Sequence, residues 1–456
     1  MRRIAPVLAV VLAATGLTVA YGTRGARASV TPPAPTPTAM ATTTVVAAPS
    51  GDAVERARKL ALAPSKDGTP VDLLIEQSQK AIEKNPKKVD WWIVLGRAWV
   101  RKARESSDPG YYLNATAAVD VALDLSPDNT AALDVKGLAL LNDHKFEEAR
   151  ELAERTVAKN AEDPTAFGTL SDALLELGRY DEATKAAQTM MDLKPNLPSY
   201  SRAAHLAWLH GDVGGAKVSL RLALDSGKDQ RDKEPYAWVL AQAAQLFLAQ
   251  GDLEGAEAGF DRALEWLPGF APANVGKGRV ALARHQSTRA AELFQRAYAT
   301  SPLVETAWLL GDAREAAGDA AGAKEARDFV RKEGRRTDPR TLAAFLAEKN
   351  ETPEGALALA DAEMKVRPDM VTEDVRAWAL YRLGRVQDAR SAIVHARRLG
   401  TKDARMMYHE GAIRLAMADK TEQAEGRKLL LAALGTGALD TFGVGLADQA
   451  RKLADQ

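Results

Sequence analysis

Alanine recurs at Ala115, Ala149, Ala183, Ala216, Ala256, Ala290, Ala323, Ala356 and Ala389, and apart from one interval of 40 every step is 33 or 34 residues. Alanine is abundant here, so the spacing alone constrains little. Several of these alanines, however, follow a glycine by five residues (Gly178, Gly211, Gly251, Gly318, Gly384), and several precede a proline by twelve (Pro127, Pro195, Pro268, Pro302, Pro368). A small residue lets two helices approach, the glycine supplies the positive backbone angle that ends the first, and the proline stops the second. The joint pattern marks a repeated helix–turn–helix hairpin. Its period implies a solenoid in which each unit packs only on its neighbours.

That architecture replaces the several domains a 456-residue chain would otherwise suggest. An apolar content of 46% is ample for buried hairpin faces. Cysteine is absent, which excludes disulfides, thiolate metal sites and thiol catalysis. The N-terminus begins Met1-Arg2-Arg3, continues with an apolar run from Ile4 to Tyr21, and reaches Ala26-Arg27-Ala28 before Ser29. A basic start, an apolar core and an Ala-x-Ala site form a secretory signal peptide, with cleavage expected between Ala28 and Ser29. The rival reading is an uncleaved membrane anchor, because the run is at the short edge of a spanning helix. Without residues 1–28 the chain holds 57 basic against 61 acidic side chains, a net of −4. That gives no footprint for nucleic acid.

Residues 29–50 contain five prolines, six threonines and no charge, and with the lead-in to residue 70 they read as a disordered spacer. Order is expected from Val71, where Leu73, Leu74, Ser78, Ala81 and Ile82 suggest the second helix of an incomplete hairpin. Repeats then start near Val89, Thr130, Pro164, Leu197, Ala237, Ala271, Val304, Thr337, Met370 and Ala404, filling residues 71–439. Residues 440–456 read as a capping helix, with Phe442, Leu446, Ala450 and Leu453 on one face.

The third unit carries Phe167, Leu170, Leu174, Gly178, Tyr180, Ala183 and Pro195 at the positions of a tetratricopeptide repeat, and residues 71–435 resemble that family. The segments KARESSDPGYY (102–112), LLNDHKFEEAR (140–150), SDALLELGRYDEA (171–183) and AWALYRLGR (377–385) look like a group of exported bacterial members. The resemblance implies an all-α, right-handed solenoid of about ten hairpins with a protein-binding role. It carries no catalytic residues.

Other chemistries find little support. His144 and His285 occupy the turn slot that glycine fills elsewhere, and histidine tolerates positive φ better than most residues. His205 and His210 are five apart, not the four of a helical zinc pair. Gly276-Lys277-Gly278 lacks the first glycine and the Ser or Thr of a phosphate-binding loop. The run Arg331, Lys332, Arg335, Arg336, Arg340 is broken by acids and sits at a helix end, where cations are favoured. No cofactor or metal site is expected, and a hydrolase would need convergent carboxylates that the sequence does not offer.

Function is therefore sought on the concave face, which in this family is lined by the first helix of each hairpin. The family's lining positions here hold Arg97, Asp134, Asp172, His205, Trp208, Gln245, Arg279, Trp308, Asp312, Trp378 and Tyr381. Trp92 and Trp99 fall at packing positions instead. The expectation is a non-catalytic scaffold of the cell envelope for a protein or peptide partner, with aromatic anchors flanked by charge. A membrane-tethered spacer is the alternative.

Overall fold

A computed structural model of the chain describes residues 51–65, 68–228 and 232–455. The signal-peptide region and most of the Pro/Thr-rich spacer lie outside them. Among the described residues the regular structure is entirely helical. Helices α1 (Gly51–Ala61) and α2 (Pro70–Lys84) precede ten hairpins. The first five are α3 (Val89–Ser106) with α4 (Tyr111–Leu125), α5 (Thr130–Asn142) with α6 (Phe146–Lys159), α7 (Pro164–Glu176) with α8 (Tyr180–Leu193), α9 (Leu197–Leu209) with α10 (Val213–Gly227), and α11 (Glu234–Leu248) with α12 (Leu253–Trp266). The second five are α13 (Ala271–Ala283) with α14 (Ser287–Thr300), α15 (Val304–Ala316) with α16 (Ala320–Thr337), α17 (Pro339–Lys349) with α18 (Pro353–Glu363), α19 (Met370–Arg382) with α20 (Val386–Ala396), and α21 (Ala404–Leu415) with α22 (Lys420–Gly435). A short 3-10 turn (Leu439–Thr441) and α23 (Leu446–Ala454) end the chain.

The recurring residues act as their chemistry requires. All nine alanines of the repeat are at most 2% exposed, each at a hairpin interface. Nine of the ten hairpin turns hold a left-handed residue: five are glycine, His144 and His285 take φ of 58° and 57°, and Ser107 and Asn350 serve in the first and eighth. Trp92 and Trp99 are fully buried. The glycines of the Gly276-Lys277-Gly278 segment lie within α13, where a Cβ at either would strike the ring of Phe260 or Phe294 from the second helices alongside. They are packing glycines.

Order starts earlier than Val71. Helix α1 packs on α4, Trp99 Nε1 donates to the Ala61 carbonyl at 3.0 Å, and Asn114 reaches the Leu60 carbonyl at 2.7 Å. In α2 the buried face is Val71, Ile75, Ser78 and Ile82, while Leu73 and Leu74 face outward. The α2 helix is not half of a hairpin with α1. It leans on α3 and is pinned by the buried Lys102–Asp72 ion pair at 2.8 Å.

The repeats also meet across about six units. Ser301 Oγ, before α15, donates to the carbonyl of Ser107 in the first hairpin turn at 2.9 Å. The Tyr180 hydroxyl accepts from the Met370 amide at 2.6 Å. A Cβ at Gly178 would lie 2.5 Å from the Pro368 carbonyl, and the turns at Gly211 and Gly251 meet Gly400 and Thr436 more closely still. Tyr180, Leu209, Met370 and Met406 form an apolar cluster across this seam. The turns of the first, third and fourth hairpins thus rest on the junction before the hairpin six units later, and the turn of the fifth rests on the end of α22. The superhelical turns touch along this seam, which narrows the inner wall.

Candidate functional site

The first helices of the hairpins face inward, and five of the expected lining residues gather there. Asp172 (α7), His205 and Trp208 (α9), Gln245 (α11) and Arg279 (α13) line one cavity of about 810 Å³. Asp172 is held by a two-pronged ion pair to Arg202, with Nε–Oδ1 at 2.8 Å and Nη2–Oδ2 at 2.6 Å. Arg279 is fixed by Glu305 at 2.7 Å. His205 retains solvent-exposed surface, yet it sits between the facing walls; desolvation lowers its pKa and Asp172 only partly opposes this.

Trp308 and Asp312 line a second recess of about 360 Å³ with Glu348, Lys349 and Arg405. Trp308 is not a free anchor. It is 7% exposed, packs edge-on against Phe345 and donates to Asp312 Oδ2 at 2.9 Å. Asp312 in turn meets Lys349 at 2.7 Å and Arg327 at 2.9 Å.

Arg97, Asp134, Trp378 and Tyr381 line neither cavity. Arg97 is exposed on α3. Asp134 is buried on α5, and burial with help from Asp163 pushes its carboxyl up to about 7 against the pull of Arg97. Trp378 belongs to the core at 2% exposure: it stacks on His409 at 4.1 Å and on Tyr381 at 4.9 Å, and donates to Glu348 at 3.1 Å. The expected anchor role fails for Trp378 because the first helices on either side close over it. Behind it, His409 bridges Asp374 and Glu348, each at 2.9 Å. Burial alone would favour the neutral ring, but the two carboxylates push its pKa up to about 9.

Trp238, Glu234 and Phe442 are among the cavity residues that the expected set leaves out. Trp238, 44% exposed, shares the lining with Trp208 and occupies the second position of its repeat, one of the family's lining positions. Glu234, at the start of α11, is 8% exposed and faces the cavity; burial pushes its carboxyl up to about 7, opposed by Arg104. Phe442 was expected on a capping helix. That helix begins only at Leu446, after Gly443 and Gly445, and Phe442 turns inward to border both cavities. The basic run outside the groove is largely neutralised: Arg331 pairs with Glu351, Arg336 with Glu333 and Arg340 with Asp369. No helix among the described residues is long and apolar enough to cross a membrane.

Residues 135–198 and 241–305 match the tetratricopeptide repeat family. Cellulose synthase operon protein C of Pseudomonas fluorescens (strain SBW25) is 24% identical over 183 residues, 38% of this chain and 14% of that protein, so the chain spans a small part of this relative. Among solved structures, PilW, a type IV pilus biogenesis factor, aligns with a TM-score of 0.39 and 15% identity over 46% of this chain and 95% of its own. The human IFIT1 dimer with PPP-AAAA aligns with a TM-score of 0.45 and 13% identity over 84% of this chain and 98% of its own. These similarities concern the helical-repeat fold.

Proposed function

We propose that this tetratricopeptide-repeat protein is a non-catalytic scaffold of the bacterial envelope that holds an extended segment of a partner protein inside its superhelix. Tetratricopeptide repeats imply a protein-interaction scaffold, and one observation carries the finer reading. Trp208, Trp238, His205 and Gln245 converge on the cavity of about 810 Å³, beside the Arg202–Asp172 pair. Indole rings set among fixed charges are the composition of binding hot spots. Walls held from behind by repeat packing lose little freedom when a ligand docks, which favours affinity.

Site-specific photo-crosslinking tests this. A benzophenone amino acid replacing Trp238 in the full chain is expected to give a discrete adduct, reduced at least about tenfold by Trp208→Ala if Trp208 is a hot spot. The same probe at Val218, 60% exposed on α10, is the outer-face control. An equal adduct from Val218, or none from Trp238, would overturn the reading.

The envelope assignment rests on the N-terminal Met1-Arg2-Arg3, the apolar run to Tyr21 and the Ala26-Arg27-Ala28 site. N-terminal sequencing of the mature protein should begin at Ser29. An intact Met1 would support the second reading, a rigid membrane-tethered spacer, which the packing of turn upon turn favours.

A further inference from the structure

The inner wall already holds one irregular stretch of polypeptide, the chain's own. Between α22 and α23 the backbone passes through Gly437, the 3-10 turn, Phe442, Gly443 and Gly445. Ala438, Leu439 and Thr441 are buried and anchor it, while Phe442 is only half-buried. The Phe442 ring lies between two guanidiniums, Arg279 at 5.6 Å and Arg405 at 5.2 Å from its centroid. Arg279 Nη1 also donates to the Thr441 carbonyl at 3.1 Å. Phe442 is the residue shared by the linings of both cavities, so it stands where they meet.

We propose that the space between Arg279 and Arg405 is a recognition seat for an aromatic side chain on the partner's extended segment, and that Phe442 is its resident occupant, displaced on binding. The inference rests on the peptide-holding reading above and adds the chemistry of the peptide. Guanidiniums near an aromatic ring favour its π face over an aliphatic side chain. The Thr441 carbonyl, which accepts from Arg279, holds that guanidinium in place beside the ring. Arg405 adds a buried Nε that has no hydrogen-bond partner, a donor left over beside the ring. Displacement does not require the stretch to unfold. Ala438, Leu439 and Thr441 can keep their places while Phe442 swings about its side-chain bonds, with Gly443 beside it to absorb the adjustment. The two cavities then become one passage along the inner wall.

A tethered occupant competes at an effective concentration on the order of millimolar. A free peptide therefore sees only the fraction of seats that are open, and its apparent Kd is the intrinsic Kd divided by that fraction. The probe is the blocked decapeptide GALDTFGVGL, this chain's residues 437–446, titrated into the full-length protein by calorimetry. Phe442→Ala is expected to bind it at least tenfold more tightly than the unaltered protein. The decapeptide with leucine in place of phenylalanine should bind Phe442→Ala at least fivefold more weakly, and Arg405→Gln in the Phe442→Ala background should lose the preference for phenylalanine. Should Phe442→Ala melt early, Phe442→Leu keeps the bulk and is expected to show the same order with a smaller gap. Equal binding by the unaltered protein and both variants, or equal binding of the two peptides, overturns the seat. A positive titration with no adduct at Trp238 would retain the seat and reject the scaffold reading, so the two fail separately.

Discussion

Trp378 and Trp238 show how one residue type serves two ends. Trp378 is enclosed by His409, Tyr381 and Glu348, so Trp378→Ala is expected to cost about 3–5 kcal/mol of stability. Trp238 lies 44% exposed in the cavity, and Trp238→Ala should cost no more than about 1 kcal/mol while weakening partner capture. Chemical denaturation of both variants checks the contrast. His409 supplies a pH test. Its pKa rises from 6.5 to about 9 in the fold, so its contribution is fully present below 6.5 and is lost as pH climbs through 9. Stability should fall across that window by on the order of 3 kcal/mol, and Asp374→Asn should flatten the fall. Equal slopes in the two proteins would show that the pair does not hold the proton. These fates were only partly legible in the sequence. The turn histidines, buried alanines and core Trp92 and Trp99 follow from local periodicity. Trp208 and Trp378 both fall at lining positions, and only the neighbouring helices decide that one meets a cavity and the other a closed core.

At the scale of the element, the hairpins and their turns were readable because each depends on contacts within about 34 residues. The contact between superhelical turns was not, since it joins residues about 190 apart and leaves no period of its own. Gly178 and Gly384 separate the two effects. Both take positive φ, but a Cβ at Gly178 meets the Pro368 carbonyl whereas one at Gly384 meets nothing within 4 Å. Gly384→Ala should cost the left-handed strain alone, about 1–2 kcal/mol. Gly178→Ala should cost a further 1–3 kcal/mol, roughly, for the clash at the seam. Thermal unfolding of the two variants would measure the difference, and equal losses would remove the seam from the account. The C-terminal stretch carries the same lesson. The apolar spacing of Phe442, Leu446, Ala450 and Leu453 suits a helix, but Gly443 and Gly445 delay its start and free Phe442 to point inward.

At the scale of the whole molecule, close winding converts the expected open groove into a narrowed inner wall with a defined cavity. On the function proposed above, a partner segment would enter along the superhelix axis or wait for the turns to part, and the spacing of the turns would set what fits. This makes the contact between turns the condition for everything proposed about binding. The chain contains no cysteine, so spin labels can be attached at two introduced cysteines without competing sites. Labels at Asp108→Cys and Leu303→Cys, exposed positions close in sequence to Ser107 and Ser301, which a 2.9 Å hydrogen bond now joins, measure the closure in solution by double electron–electron resonance. The account predicts a single narrow distribution at the short end of the measurable range. A broad distribution centred far beyond it would mean that the turns stand apart and the inner wall lies open.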